Sequence, residues 1–231
     1  MGRSRILIDA CVGTDKERHA RTQWTGLQTP FLDRLAQTGF QPEEIDYVCC
    51  THLHADHVGW NTRLIDGQWV PAFPNAKYIF GRSEYAYWDQ IYRTTDPNGR
   101  HLAAYTGSMP PVVEAGQMLL ADDGFEPDGW LRFEPAPGQV SIWLSSKGRT
   151  CVFSGDIVHH PIQLRYPDWS CIGCGDQVQA AVTRIKLFHR IADTDTIMTG
   201  HFLAPHAGRL TSTSKAFDIS CVECGPSSGS D

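Results

Sequence analysis

Three histidines and one aspartate fall within six residues, and this cluster constrains the chain more than any other feature. The segment reads THLHADHVGW and places His52, His54, Asp56 and His57 directly after a buried-strand pattern at residues 47–51. Burying four ionisable groups without partners is costly, whereas divalent cations satisfy them together. Alternation puts the first two histidines on one side of an extended segment, and the turn that follows directs the second pair to a neighbouring point. The pattern predicts a metal site, and the alternative is a solvated histidine-rich loop.

The length and composition predict one globular domain. The chain has 231 residues, 41% of them hydrophobic, and a net charge of −6 with acidic and basic residues interleaved. Without a basic run to follow a phosphate backbone, nucleic acid is not an expected partner. No apolar run is long enough to span a bilayer, and the start lacks the apolar segment of a signal peptide. We expect a cytoplasmic protein without membrane contact that acts on a small-molecule substrate.

Apolar periodicity predicts strands that precede helices in both halves of the chain. Strand patterns occur at residues 6–8, 47–51, 76–80, 118–120, 130–133, 140–144, 150–153 and 196–199, and helical patterns at residues 30–37, 83–93 and 177–191. We expect Ser83 to cap the second helix and Val178, Val182, Ile185 and Phe188 to form the apolar stripe of the third. The pattern predicts an α/β sandwich with helices outside.

Four segments together resemble the metallo-β-lactamase superfamily. THLHADHVGW is similar to its HxHxDH signature, ILIDACVG to its early strand and loop, FSGDIVHHP to the strand ending in its bridging aspartate, and MTGHF to the strand ending in its last histidine ligand. The chain most resembles the branch containing methyl parathion hydrolase and acyl-homoserine lactonases. The resemblance implies an αββα sandwich over residues 1–218, with residues 219–231 as a flexible tail.

The resemblance also implies a ligand set. His52 and His54 would hold a first metal, a second would be held by Asp56, His57 and His201, and Asp156 would bridge the two. Asp9 matches a position from which a carboxylate orients a ligating imidazole. Zinc is the expected metal, one or two ions per chain, because imidazole and carboxylate suit it; manganese, cobalt and iron remain open.

Two family features are missing. Where the family has a Pro-Gly-His-Thr-Pro-Gly loop that supplies a third histidine to the first metal, this chain reads EPAPGQVSIWL. Either Gln139 replaces that histidine or a His-Thr-Pro-Gly unit is absent. His159, His160, Cys11 or Gln139 could compensate for the lost ligand. Family members also carry one or two strands before the strand at residues 6–8. Without them a sheet edge or hydrophobic face is exposed, which could be covered by a second subunit in a homodimer or could compromise folding.

The eight cysteines predict reduced thiols rather than a disulfide framework. Cys49, Cys50 and Cys151 lie in apolar runs and are expected in the core. A second metal signal lies in two CxxCG segments, in which Cys171, Cys174, Cys221 and Cys224 could form a structural zinc site; unrelated thiols are the alternative.

The function implied is metal-dependent hydrolysis of esters or lactones, with phosphotriesters also open. A metal-activated water would attack without a covalent intermediate, while Asp56 and Asp156 orient the nucleophile and move a proton to the leaving group. Trp60, Trp69, Phe73 and Trp88 are candidates for an aromatic substrate pocket. The alternative is a catalytically impaired or non-catalytic metal-binding member of the fold.

Overall fold

The computed structural model describes residues 4–18, 21–94, 105–127, 129–203, 206–214 and 216–221. The chain divides into two compact units, residues 1–122 and 123–231, and each is described by itself.

The first unit is built on a parallel four-stranded sheet. The strands of the whole unit are β1 (Ile6–Ile8), β2 (Tyr47–Cys49), β3 (Thr62–Ile65), β4 (Gln68–Pro71), β5 (Lys77–Gly81) and β6 (Met118–Ala121), of which β3 and β4 form a separate pair. The sheet order is β1-β2-β5-β6, and each neighbouring pair is parallel. Strand predictions at these four positions are confirmed. Because all four strands run the same way, their carboxyl ends lie at one edge of the sheet.

The sequence analysis missed the hairpin of β3 and β4. Its two-residue turn, Asp66-Gly67, has φ values of 50° and 77°, as a type I′ turn requires. Asp-Gly between two short strand-forming runs was the available signal.

Three helices in the described part of this unit are α1 (Phe31–Gln37), α2 (Arg82–Thr94) and α3 (Pro110–Glu114). The expected cap at Ser83 is wrong, because α2 begins at Arg82 directly after β5. Buried positions in α2 are Glu84 and Trp88, one helical turn apart. The core of the unit is formed by residues that include Val48, Cys50, Trp60, Phe73, Tyr78, Phe80, Met109 and Val112.

A lysine is buried in this unit. The Lys16 Nζ lies 3.6 Å from the ring centroid of Trp69 and donates hydrogen bonds to the Thr62 hydroxyl and the Gly107 carbonyl, both at 2.7 Å. Only 3% of the residue is exposed. Burial, with a smaller effect from Arg18, lowers the pKa of Lys16 to about 6.

The second unit is built on a mixed six-stranded sheet. Its strands are β7 (Leu131–Ala136), β8 (Gln139–Ser146), β9 (Arg149–Phe153), β10 (Thr196–Met198), β11 (Ala207–Ser212) and β12 (Phe217–Cys221), and their order is β12-β11-β10-β9-β8-β7. Only β9 and β10 form a parallel pair in it. Strand β12 extends to Cys221, so residues 219–221, expected in the flexible tail, pair with β11. The rest of that tail, including Cys224, lies outside the described residues.

Two helices of this unit are α4 (Ile162–Arg165) and α5 (Gln177–Ile191). The predicted bounds of α5 are confirmed, and Asp176 caps it by accepting a hydrogen bond from the Gln179 amide at 2.9 Å. The predicted apolar stripe is confirmed at Phe188 but wrong at Val178 and Val182, which are exposed. The buried face contains Ala181, Arg184, Leu187, Phe188 and Ile191. This face packs into a core that includes Trp143, Val152, Ile197 and Leu210.

The helices within the described ranges are all too short or too polar to cross a lipid bilayer.

Candidate metal centre

The carboxyl edge of the first unit's parallel sheet carries its functional side chains. Asp9 follows β1, the histidine cluster follows β2, and α2 follows β5. Ligand sites in open α/β sheets form outside the carboxyl ends of strands, because neighbouring parallel strands deliver their loops to one place. The topology therefore gathers residues that are more than 40 positions apart in sequence.

Asp9 orients one of the predicted ligands, as expected. Its Oδ2 lies 2.9 Å from His57 Nδ1, and its Oδ1 accepts a hydrogen bond from the Thr51 backbone amide at 2.7 Å. The Thr51 hydroxyl also donates to this carboxylate. With Nδ1 held by Asp9, Nε2 is the ring atom of His57 that would ligate a metal, and it lies 3.8 Å from Asp56 Oδ2. Two donors about 2 Å from one tetrahedral ion are about 3.3 Å apart, so a small movement would bring both onto one cation.

His52 and His54 also bring their rings together. His52 Nε2 lies 2.9 Å from His54 Nδ1, and the His52 and His57 ring centroids are 4.0 Å apart. The Thr51 hydroxyl lies 3.2 Å from His52 Nδ1. His52 and His57 are almost completely buried.

Glu84 is a positioning residue that the sequence analysis missed. Its Oε1 accepts hydrogen bonds from the Leu53 backbone amide at 3.3 Å and from the Trp88 indole at 2.9 Å. Trp88 in turn packs edge-on against His54, with ring centroids 6.0 Å apart. The Glu84 side chain thus connects α2 to the backbone between His52 and His54. In the sequence, a glutamate four residues before a tryptophan was only a weak signal. Its hydrogen-bond partner, the Leu53 amide, is 31 residues away and could not be inferred from it.

The end of the histidine loop is packed directly against the loop after β1. Gly59 donates its amide to the Cys11 carbonyl at 2.7 Å, and the Ala10 amide donates to the His57 carbonyl at 2.6 Å. A Cβ on Gly59 would lie 1.9 Å from the carbonyl carbon of Val12, so only glycine fits.

Asp156 and His201 lie together in the second unit. They follow β9 and β10, the parallel pair, so both leave their strands at the same edge. Asp156 Oδ1 lies 2.9 Å from His201 Nε2, and its Oδ2 lies 3.2 Å from His159 Nε2. The rings of His159 and His201 stack with centroids 5.4 Å apart. Donor atoms of Asp156, His159 and His201 all lie within 4.8 Å of one another.

Gln139 lies beside Asp156. Strands β7 and β8 are joined by the two residues Pro137 and Gly138, and Ala136 pairs with Gln139. The Gln139 Oε1 accepts a hydrogen bond from the Asp156 backbone amide at 2.8 Å. This carboxamide oxygen therefore positions Asp156.

The aromatic pocket expected from four residues is not supported in the first unit. Phe73 is fully buried, Trp60 stacks on Phe31, and Trp88 is in the core apart from its edge contact with His54. Trp69 covers Lys16. Cys49 and Cys50 are buried, as predicted, and Cys151 is half-buried.

The donor chemistry of both groups fits a zinc-type cation. The first unit brings together four predicted ligands, three imidazoles and a carboxylate, and the second brings together the other two, Asp156 and His201. Imidazole nitrogen and carboxylate oxygen are the usual protein donors to zinc outside thiolate sites. Asp9 supplies the partner that a ligating imidazole needs on its other nitrogen. The assignment of the six residues as ligands stays a prediction.

Comparison with known proteins places this geometry in a family. Residues 2–218 match the metallo-beta-lactamase superfamily. A segment of 56 residues is 41% identical to the N-acyl homoserine lactonase AttM of Agrobacterium fabrum (strain C58 / ATCC 33970), and equally to that of Rhizobium radiobacter. The segment is 24% of this chain and 18% of each lactonase, so the chain is matched to only about a fifth of these relatives.

Solved structures agree over most of the chain. The hydrolase AbOPH, described as a member of the beta lactamase superfamily, has a TM-score of 0.77 and 27% identity over 96% of this chain and 77% of its own. AidC, described as a dizinc quorum-quenching lactonase with the product N-hexnoyl-L-homoserine, has a TM-score of 0.73 and 23% identity over 95% of this chain and 76% of its own. The predicted α/β class and fold are confirmed, and the chain belongs to the metallo-beta-lactamase superfamily.

Proposed function

We propose that this chain is a divalent-metal hydrolase that opens lactones or cleaves carboxylic esters. The observation that carries the proposal is the set of predicted ligands at the carboxyl ends of β2, β9 and β10, with His57 already oriented by Asp9. The names of its relatives, lactonases in the case of AttM and AidC, support the substrate class.

The residues proposed to hold the metal are His52, His54, Asp56, His57, Asp156 and His201, and zinc is the proposed ion. Divalent cations, when bound, lower the pKa of water and polarise a carbonyl oxygen. The chain's own contribution is to fix the donors. Asp9 holds the proton on His57 Nδ1, so Nε2 presents its lone pair. Gln139 and His159 hold Asp156 from two sides.

Asp56 and Asp156 are proposed to accept and return the proton. A carboxylate next to the attacking water can take its proton and pass it to the leaving alkoxide within hydrogen-bond reach. Asp156 is half-buried between two imidazoles, which restricts its orientation. We propose a small-molecule substrate.

The experiment is turnover of an N-acyl homoserine lactone and an aryl acetate by zinc-loaded protein, before and after EDTA. We expect EDTA to abolish turnover and zinc to restore it. His57→Ala and Asp156→Asn should each lose activity, whereas the control His189→Asn, an exposed histidine on α5, should retain it. Absence of turnover by a folded, zinc-loaded protein would favour the alternative, a metal-binding member without catalysis.

The short turn between β7 and β8 supports the proposal that the first metal site lacks one ligand. The turn between Ala136 and Gln139 holds two residues, Pro137 and Gly138, and neither is a histidine, which supports the proposal that a ligand of the first metal is missing. Inserting His-Thr-Pro-Gly between Gly138 and Gln139 should raise turnover. The control insertion, Ala-Thr-Pro-Gly, has the same length without the imidazole and should not. Equal turnover by the two insertions would show that the absent imidazole is not the defect.

A further inference from the structure

A second group of metal-type donors lies in the loop between β9 and α5. Cys171 Sγ lies 3.7 Å from Cys174 Sγ and 3.6 Å from His159 Nε2. The donor atoms of the three residues all lie within 4.8 Å of one another, and all three side chains are half-buried. None of the roles proposed above uses the two thiols.

These separations match tetrahedral coordination. With bonds of about 2.3 Å to sulfur and about 2.05 Å to nitrogen, a tetrahedral zinc places two sulfurs about 3.8 Å apart and a sulfur and nitrogen about 3.6 Å apart. A disulfide would need its sulfurs at about 2.05 Å. The measured distances therefore fit an ion between the three donors better than a bond between the two thiols.

Hydrogen bonds within the chain hold the donors of this loop in place. Gln163, which is buried, accepts hydrogen bonds from the His159 and His160 amides at 2.8 and 3.2 Å and donates to the Trp169 carbonyl at 2.8 Å. A turn in which the Cys174 amide donates to the Cys171 carbonyl brings the thiols to one side.

A buried cation anchors the same loop from α5. Arg184 is fully buried and donates to the carbonyls of Ile157, Pro167 and Trp169 at 2.6–2.8 Å. Burial and then Cys171 raise the pKa of the Cys174 thiol, and the positive charge of Arg184 opposes this with a smaller effect. A bound divalent cation would offset the free-energy cost of deprotonating the thiols, because metal binding displaces the thiol protons.

We propose that Cys171, Cys174 and His159 form a binding site for zinc or a similar thiophilic divalent cation, separate from the six ligands proposed above. Two thiolates neutralise the ion, the imidazole is the third ligand, and a fourth position stays open. His159 Nδ1 is buried and has no hydrogen-bond partner among the described residues. Ligation through Nε2 would take His159 away from Asp156, so occupancy of this site would alter one contact of the proposed catalytic carboxylate.

The test uses cobalt as the probe under reducing conditions. We expect the metal-free full chain to develop the near-ultraviolet thiolate-to-cobalt band on titration, and Cys171→Ser/Cys174→Ser to lack it. His159→Asn should weaken cobalt binding at this site by about 10–100-fold or more. Loss of a residue that only supports a ligand already costs about this much, and His159 is proposed as a ligand itself. Cys151→Ser, which removes a half-buried thiol from β9, should keep the band.

Three results would overturn the proposal. One is the absence of the band in the wild-type chain, and another is its persistence in the double variant. The third is loss of the band in Cys221→Ser/Cys224→Ser together with unchanged affinity in His159→Asn, which would assign the thiolates to a four-cysteine site. In the unmutated protein we expect zinc to protect Cys171 and Cys174 from alkylation, as mapped by peptide mass spectrometry. This measurement needs no variant to fold. Lactone turnover is not a readout here, so failure of this proposal and of the hydrolase proposal are distinguishable.

Discussion

Replacing Asp9 by Asn should weaken zinc binding by reversing the tautomer of His57. The Asn carbonyl oxygen can still accept from the Thr51 amide, as Asp9 Oδ1 does at 2.7 Å. Its NH2 group would then face His57 Nδ1, where Oδ2 now lies at 2.9 Å. Since two donors cannot pair, the ring proton moves to Nε2, the atom proposed to bind metal. Asn also tolerates the φ of 56° at this position.

The expected loss of zinc affinity in Asp9→Asn follows from the role of the Asp9–His57 hydrogen bond. Loss of the partner of a ligating imidazole costs about 10–100-fold in metal affinity, or about 1.4–2.7 kcal/mol. Competition with a chelator of known zinc affinity measures it. Asp33→Asn, an exposed carboxylate in the first turn of α1, is the matched control and should bind as the wild type does.

A comparison with Asp9→Ala isolates the tautomer effect. Alanine leaves the buried Thr51 amide without its acceptor, so it should lower the free energy of unfolding by about 1–3 kcal/mol, more than Asn does. It places no competing donor against His57, so its zinc affinity should be no lower than that of Asp9→Asn. Wild-type affinity in a folded Asp9→Asn protein, or much weaker binding by the alanine variant, would refute the tautomer argument.

Three further substitutions test packing and charge in the first unit and its loops. Gly59→Ala should lower the free energy of unfolding by about 1–3 kcal/mol or more through steric overlap, measured by urea titration, while Gly175→Ala, whose Cβ would meet nothing within 4 Å, should cost little. Lys16→Met should change the pH dependence of stability. The folded chain disfavours the Lys16 proton, so the wild type should lose about 1.4 kcal/mol per pH unit relative to the variant as pH falls from the usual pKa of 10.5 to about 6, and no more below it; parallel stability curves across this window would contradict it. Glu84→Ala should cost about 1–3 kcal/mol and slow turnover, while Glu84→Gln, which keeps the accepting oxygen, should be nearly neutral; an equal effect of both would assign the role to charge.

Local signals predicted the regular elements well. Helix α5 was predicted with its observed bounds from the helical spacing of its apolar residues, and the structure adds Asp176 as its cap. The orientation of α5 was predicted wrongly because Arg184, normally a surface residue type, is buried on three carbonyl acceptors while Val178 faces solvent. Burial of an arginine depends on where other loops place their carbonyls, and periodicity carries no such information.

The sequence allowed candidate donor side chains to be named as a prediction, but not the residues that hold them. The histidine cluster is local, so its spacing alone indicated a metal site. Glu84, Gln139 and Gln163 act through hydrogen bonds to backbone amides, and for the first two the partner is 31 and 17 residues away. A backbone amide has no sequence signature, so these contacts appear only in three dimensions.

The contact between Gly59 and the backbone of Val12 has a consequence for how metal is taken up. The two chain segments leave no room for a side chain and exchange hydrogen bonds on both sides, so contacts within the chain itself fix the histidine loop. In small zinc domains, much of the free energy of metal binding is used to order the chain. We therefore expect the proposed metal to bind to an ordered loop, and the fold to remain when a chelator removes the ion.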